Sequence, residues 1–86
     1  MERRQIEDWN DELLALGQSG APAARDRLRE LLARLPVDDG AAVELAAGLA
    51  AALEEEEPAR ARGEIRRLAM LLHAAIEHHL IERETD

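Results

Sequence analysis

Three histidines near the carboxyl end, His73, His78 and His79, are the residues whose chemistry stands out in this sequence. His73 and Glu77 are four residues apart, which places both on one face of a helix, where they could form an acid–base pair or two metal ligands. Dinuclear carboxylate sites in helical bundles use Glu-x-x-His on two helices, and this motif is absent. We therefore interpret the histidines as structural and expect no bound metal.

A ligand site inside a helical bundle is the alternative interpretation of the same region. In that arrangement glycines would leave space, and an aromatic ring and histidines would contact a small molecule or haem. The residues of such a cofactor site would be Trp9, Gly48, Gly63, His73 and His79. The ligands of a metal ion would be His73, Glu77 and His79.

Other signatures of catalysis are missing. The sequence has no cysteine nucleophile, no glycine-rich phosphate loop and no His-Glu-x-x-His motif. Ser19 falls in a predicted turn and Thr85 near the carboxyl end, and neither belongs to a recognisable pair with a histidine that would activate it. We therefore expect no catalytic residues and no cofactor, so the sequence predicts a protein that is not an enzyme.

The composition predicts a single all-α domain over residues 1–86. Alanine, leucine, arginine and glutamate are strong helix formers, whereas β-branched and aromatic residues are scarce and Trp9 is the only aromatic residue. Arginine occurs without lysine. This usage, together with the many alanines, fits a bacterial gene of high GC content, and it fits equally well a computationally designed bundle.

The formal net charge of -8 limits the classes of partner. Nucleic acids and anionic membrane surfaces require a basic surface, so we expect neither, and we expect any charged protein partner to be basic. The longest nearly apolar run, residues 41–53, contains Glu44 and is shorter than the ~18 residues that span a membrane. Without cysteine or a hydrophobic signal segment, the expected compartment is the cytoplasm.

Apolar residues at spacings of three and four predict a small four-helix bundle with short loops and helices over residues 2–16, 22–35, 40–55 and 58–83. Gly17 to Gly20 should end the first helix, Pro36 should end the second, and Asp38 or Asp39 should cap the third. The predicted core stripes are Ile6, Trp9, Leu13 and Leu16; Ala24, Leu28, Leu31, Leu32 and Leu35; Leu45, Leu49 and Leu53; and Ala61, Ile65, Leu68 and Leu72, followed by Ala75 or Ile76 and His79 or Leu80.

Two features of the third and fourth helices have more than one interpretation. Gly48 lies in mid-helix at a cost of up to about 1 kcal/mol relative to alanine, and we interpret it as a close approach of two helices, the alternative being space for a ligand. Pro58 either opens a new helix or kinks a continuous one. The acidic run Glu54 to Glu57 before it should lie in solvent. Arg60, Arg62, Arg66 and Arg67 should pair with these glutamates and with Glu64.

The fourth helix has more apolar surface than one core requires. His73 is the only polar residue in 68–76, so this segment should be buried on every side. At about 38 Å the helix should overhang the other three, at about 20 to 25 Å, by two turns that carry His78, His79, Leu80 and Ile81. The predicted interaction surface opposite the core is Met70, Ala74, His78 and Ile81.

These features favour a non-enzymatic helical module for protein–protein interaction, an adaptor or scaffold. It should form an isologous homodimer through the fourth helix, because a core this small gains stability from association. The arginine-rich face of the second helix is another surface for a partner. A third interpretation is an oligomer that responds to pH through its clustered histidines.

Overall fold

The computed structural model describes residues 2–19, 21–55 and 58–85, with side chains for all of them except 58 and 83–85. This part of the chain forms four α-helices and no strand: α1 (Arg3–Gln18), α2 (Pro22–Leu32), α3 (Gly40–Leu53) and α4 (Pro58–Thr85). The predicted all-α bundle with a long C-terminal helix is confirmed. Within the same residues, no helix is both long and apolar enough to cross a membrane.

The four helices form a ring in which each packs against two neighbours. α4 packs against α1 and α3, and α2 packs against the same two helices from the other side. Neighbouring helices run antiparallel, since the Trp9 indole N–H donates to the Leu31 carbonyl at 2.9 Å and an Arg3 N–H donates to the Leu80 carbonyl at 3.0 Å. The result is an up-down-up-down bundle.

The helix starts follow from residues visible in the sequence. Asp39 caps α3, because its carboxylate accepts the Ala42 backbone N–H at 3.3 Å. Pro22 and Pro58 are the first residues of α2 and α4, where a missing N–H costs nothing. Pro58 therefore opens a separate helix and does not kink a continuous one.

The C-terminal ends of all four helices differ from the prediction; α3 ends at Leu53 and not at Glu55, and α4 is described to Thr85, two residues past its predicted end. α2 ends at Leu32 and not at Leu35, because Pro36 disfavours helical geometry in the residue before it. α1 continues through Gly17 to Gln18, and Ser19 caps it in an extended conformation. Gly17 is thus a buried residue inside the helix and not its terminator.

The predicted apolar stripes meet in one core. Leu13, Leu28, Leu49, Leu53, Leu72 and Ile76 are the largest fully buried side chains. Of the alternatives left open on α4, Ile76 and Leu80 are buried, whereas Ala75 and His79 are half-buried. Four predicted members, Leu16, Leu32, Leu35 and Leu45, are partly buried against the core.

The close helix contact lies at Gly17 and not at Gly48. A Cβ atom on Gly17 would overlap the Cβ of Ala69 on α4, so only glycine allows this approach of α1 to α4. A Cβ on Gly48 would lie 3.7 Å from the nearest Leu68 methyl, an ordinary van der Waals distance. The prediction that Gly48 permits a close crossing is therefore wrong.

The segment 68–76 is buried on one side only. Leu72 and Ile76 are fully buried, whereas Met70 is 52% exposed and Leu71 44% exposed. The prediction of burial all round is wrong for the single chain, because α1 and α3 both pack on the same side of α4. The predicted excess length of α4 is present, at 28 residues against 16 for α1. The placement of residues 78–81 in an overhang is wrong, because Leu80 is only 6% exposed, at the level of the first turn of α1.

Candidate interaction surface on α4

The side of α4 that faces away from α1 and α3 is exposed. All four residues of the predicted interaction surface, Met70, Ala74, His78 and Ile81, are exposed there. Ile81 has a relative exposure of 57%. Met70, Leu71 and Ile81 are three of the four large hydrophobic residues exposed in the described part of the chain, so the exposed apolar surface is concentrated on α4.

The middle of this exposed side is a line of residues that we call the outward stripe. Its members are all exposed and recur at alternating spacings of four and three residues: Gly63, Arg67, Met70, Ala74, Glu77 and Ile81. This is the heptad spacing of a helix that pairs with a second helix. His78 lies beside the stripe, about 60° from its centre at 3.6 residues per turn.

The charge of this side changes sign along the helix. Arg66 and Arg67 are exposed in the first half of α4, and Glu77 and Glu82 are exposed in the second half. Arg67 contacts Glu64 at 2.6 Å, but its side chain remains 60% exposed. The apolar middle of the stripe thus has a basic end and an acidic end.

His73 connects α4 to α1. Its Nδ1 lies 3.0 Å from the Asn10 carbonyl oxygen and its Nε2 lies 3.1 Å from a Glu77 carboxylate oxygen. Both neighbours are acceptors, so the ring donates to both only when both nitrogens carry a proton; the neutral ring with the proton on Nδ1 keeps the bond to Asn10. His73 is therefore part of the interface between α4 and α1.

Asn10 completes this polar contact, and the sequence prediction missed it. Its side-chain N–H donates to the His73 carbonyl at 3.1 Å, and Asn10 is only 2% exposed. Its side-chain oxygen has no hydrogen-bond partner among the described residues. The signal was its position, four residues after Ile6 and three before Leu13, which places it on the buried stripe.

The residues of the alternative ligand site do not come together. Gly63 and His79 lie 16 residues apart on α4, about 24 Å along the axis, and nothing lies within 4 Å of a Cβ placed on Gly63. Trp9 is buried, with its indole N–H bonded to the Leu31 carbonyl. Within the described residues, no group of three metal-ligating side chains is close enough to hold an ion, so His73, Glu77 and His79 do not converge.

The arginines of α2 are engaged within the chain. Arg25 and Arg29 each donate to the Leu53 carbonyl at 2.8 Å, at the C-terminus of α3. Arg27 bonds to Glu12 on α1 at 2.9 Å and lowers the pKa of that carboxyl group. The face predicted as a surface for a partner therefore holds α1, α2 and α3 together.

In the described part of the acidic junction, one glutamate pairs with α2. Glu54 contacts Arg29 on α2 at 3.1 Å, and not an arginine of α4. Glu56 and Glu57 lie outside the described residues. At the start of α4, Arg67 pairs with Glu64, as the sequence suggested, while Arg62 and Arg66 line a small opening beside the C-terminus of α1.

Comparison of the chain with protein-family models, curated proteins and solved structures found no significant match. Its function is therefore argued from its own residues.

Proposed function

We propose that this protein is a non-enzymatic helical interaction module that self-associates through the outward stripe of α4. The exposure of apolar side chains at heptad spacing is the observation that carries the proposal. Monomeric proteins usually scatter their exposed apolar residues singly, whereas a contiguous row with polar residues around it is typical of an interface. Met70, Ala74 and Ile81 lie along one such row, and Leu71 lies on its flank.

The engagement of other candidate groups supports this choice of surface. Arg25, Arg27 and Arg29 are bonded to α1 and α3, so a partner that bound them would compete with contacts that hold the bundle together. His73 is the candidate acid–base group nearest the core, and its two ring nitrogens contact Asn10 and Glu77 of the same chain. By contrast, the apolar residues of the outward stripe, Met70 and Ile81, are more than half exposed to solvent.

The direct test is the mass of the protein in solution. Size-exclusion chromatography with light scattering should give a dimer for the wild type at tens of micromolar. Met70→Glu and Ile81→Glu should shift it to monomer, because each places a charge in the apolar part of the interface. A wild type that stays monomeric up to millimolar concentration would exclude the proposal.

Val43→Glu is the matched control. Val43 is 45% exposed on α3, outside the outward stripe, and receives the same change from apolar to acidic. It should leave the dimer intact. If Val43→Glu dissociates the dimer and Met70→Glu does not, the apolar groove between α2 and α3, lined by Leu32, Leu35, Val43, Ala46, Ala47 and Ala50, is the interface instead.

The adaptor role proposed for the dimer requires a further protein partner. The net charge of -8 favours a basic one, and the lack of cysteine favours the reducing cytoplasm as the compartment. Affinity capture with wild type and Met70→Glu would separate partners that need the dimer from partners that bind the single chain.

A further inference from the structure

We infer that two copies of the chain pair α4 against α4 in antiparallel orientation, with the two-fold axis crossing the outward stripe at the level of Leu72, whose own side chain faces the core. This register rests on the proposed self-association and adds the relative placement of the two chains. It follows from the order of residues in the outward stripe. When two copies of the stripe run in opposite directions, each residue faces one of complementary size or charge.

Each position of the stripe has a counterpart at the same distance on the other side of Leu72. Met70 and Ala74 are two residues from it, Arg67 and Glu77 five, and Gly63 and Ile81 nine. In an antiparallel pair centred on Leu72, the members of each couple face one another across the interface. The paired stripe is about 27 Å long at 1.5 Å per residue.

The couples match in size and in charge. The long Met70 side chain faces the small Ala74 of the second copy, and Ile81 faces Gly63, so large side chains meet small ones. Arg67 faces Glu77, both exposed in the single chain. Each match occurs twice because the axis repeats it.

Residues on the flanks agree with the same register. Leu71 is 44% exposed and one residue from the axis, on the same flank in both copies, so the two Leu71 side chains lie beside each other. Arg66 lies on the flank of Glu77 of the second copy. Glu64 lies on the flank of His78 of the second copy, which is 72% exposed.

A parallel pair fails on these residues. It would place Arg67 against Arg67 and Glu77 against Glu77, and like charges that face each other weaken an interface. It would also place Met70 against Met70 and Gly63 against Gly63, which crowds one layer and leaves another empty. The antiparallel pair avoids all four conflicts.

Single cysteines test the geometry, since the natural chain has none. With a bifunctional thiol reagent of short reach, Leu71→Cys should cross-link to its own copy because the two sites meet near the axis. Gly63→Cys should not, because its two copies lie about 27 Å apart along the helices. Both positions are exposed, so the fold should survive, as circular dichroism would verify.

A charge exchange tests the energetics. Arg67→Glu and Glu77→Arg should each raise the dimer dissociation constant at least about tenfold, because each replaces two attractive couples by two repulsive ones. An equimolar mixture of the two variants should form a heterodimer, and the double variant should recover the homodimer. Glu44→Arg, an exposed charge reversal on α3, should change nothing.

The outcomes separate the two proposals. A wild-type dimer in which Gly63→Cys cross-links to itself, or in which the double charge variant stays dissociated, would overturn the register and leave self-association standing. A monomeric wild type would overturn both. Cross-linking at Leu71 only, together with recovery in the double variant, would establish the antiparallel pair.

Discussion

Gly17 is the residue on which the contact between α1 and α4 most directly depends. Its missing side chain lets the last turn of α1 approach Ala69, and the neighbouring polar contact between Asn10 and His73 connects the same two helices. Close packing of this kind tolerates added volume poorly, because the interior has no space to receive it.

Gly17→Ala should lower the free energy of unfolding by about 1 to 3 kcal/mol, the usual cost of overpacking. Gly48→Ala is the matched control, since its Cβ meets only ordinary contacts and the helix gains up to about 1 kcal/mol of propensity. Urea denaturation would compare the two. A Gly17→Ala variant that is as stable as the wild type, or more stable, would show that a methyl group fits between position 17 and Ala69.

Exchanging the two residues at this contact provides a second test of the close approach. In the double variant Gly17→Ala with Ala69→Gly, the methyl group moves from α4 to α1 and the overlap disappears. Its stability should return close to that of the wild type, because the gain in propensity at one site offsets the loss at the other.

At the scale of single residues, the sequence predicts burial more accurately than it predicts contacts between residues of different helices. Periodicity places Ile6, Trp9 and Leu13 on one face of α1, and all three are buried. It cannot show that Asn10 meets His73, 63 residues away, because that depends on how α1 and α4 are placed against each other. The helix end predicted at Gly17 is wrong because glycine is common both at helix ends and where two helices approach closely, and the sequence alone does not distinguish the two.

At the scale of elements, side chains of α2 donate hydrogen bonds to a backbone carbonyl group at the C-terminus of α3. The carbonyl of Leu53 accepts from both Arg25 and Arg29, and Glu54 follows immediately, where its charge opposes the helix dipole. The two guanidinium groups supply the positive charge that the helix end lacks. From the sequence these arginines are predicted to form a surface for a partner, since nothing local indicates that α3 ends beside them.

Arg29→Ala should therefore destabilise the protein by about 1 kcal/mol, through loss of the cap at Leu53 and of the contact with Glu54. Arg34→Ala provides the control, because Arg34 is exposed and its side chain makes no hydrogen bond or ion pair within the described residues; its effect should stay within about 0.5 kcal/mol. Thermal denaturation of both variants would measure the difference. Equal effects would mean that the contacts with Leu53 add nothing.

The pair of Glu12 and Arg27 joins α1 to α2 and makes stability depend on pH. Hydrogen bonding to Arg27 lowers the pKa of Glu12 in the folded chain, so the ionised form favours folding. This contribution is present at neutral pH and is lost as the pH falls through the lowered pKa. Both groups are partly exposed, so its size is small and decreases with salt.

Glu12→Gln should be slightly less stable than the wild type at pH 7 and equally stable at about pH 2. Glu44→Gln, on an exposed carboxylate that has no ion-pair partner in the described part of the chain, should follow the wild type at both values. Urea titrations at the two pH values would decide this. A Glu12→Gln deficit that persists in acid would assign the effect to packing and not to charge.

At the scale of the whole molecule, the bundle leaves one side of its longest helix uncovered. α4 has 28 residues, about 42 Å at 1.5 Å per residue, and the molecule measures 44 Å along its longest axis. The helix thus runs the full length of the bundle, and its outward stripe is continuous along it. Periodicity alone predicts the four-helix architecture and the interaction surface opposite the core of α4. It does not predict that Leu71 is exposed in the single chain, because periodicity does not show that α1 and α3 pack on the same side of α4.

Pairing of two such helices should link stability to concentration, because a dimer that forms only from folded chains is favoured by mass action. Over the range in which the wild type is mainly dimeric, a tenfold increase in concentration should raise the melting temperature by about 3 to 5 °C. Met70→Glu with Ile81→Glu should melt at a temperature independent of concentration, whereas Val43→Glu should keep the dependence. A wild-type melting temperature that does not move over a hundredfold range, although light scattering shows a dimer, would mean that the two copies remain joined after unfolding and that the folded outward stripe does not hold them together.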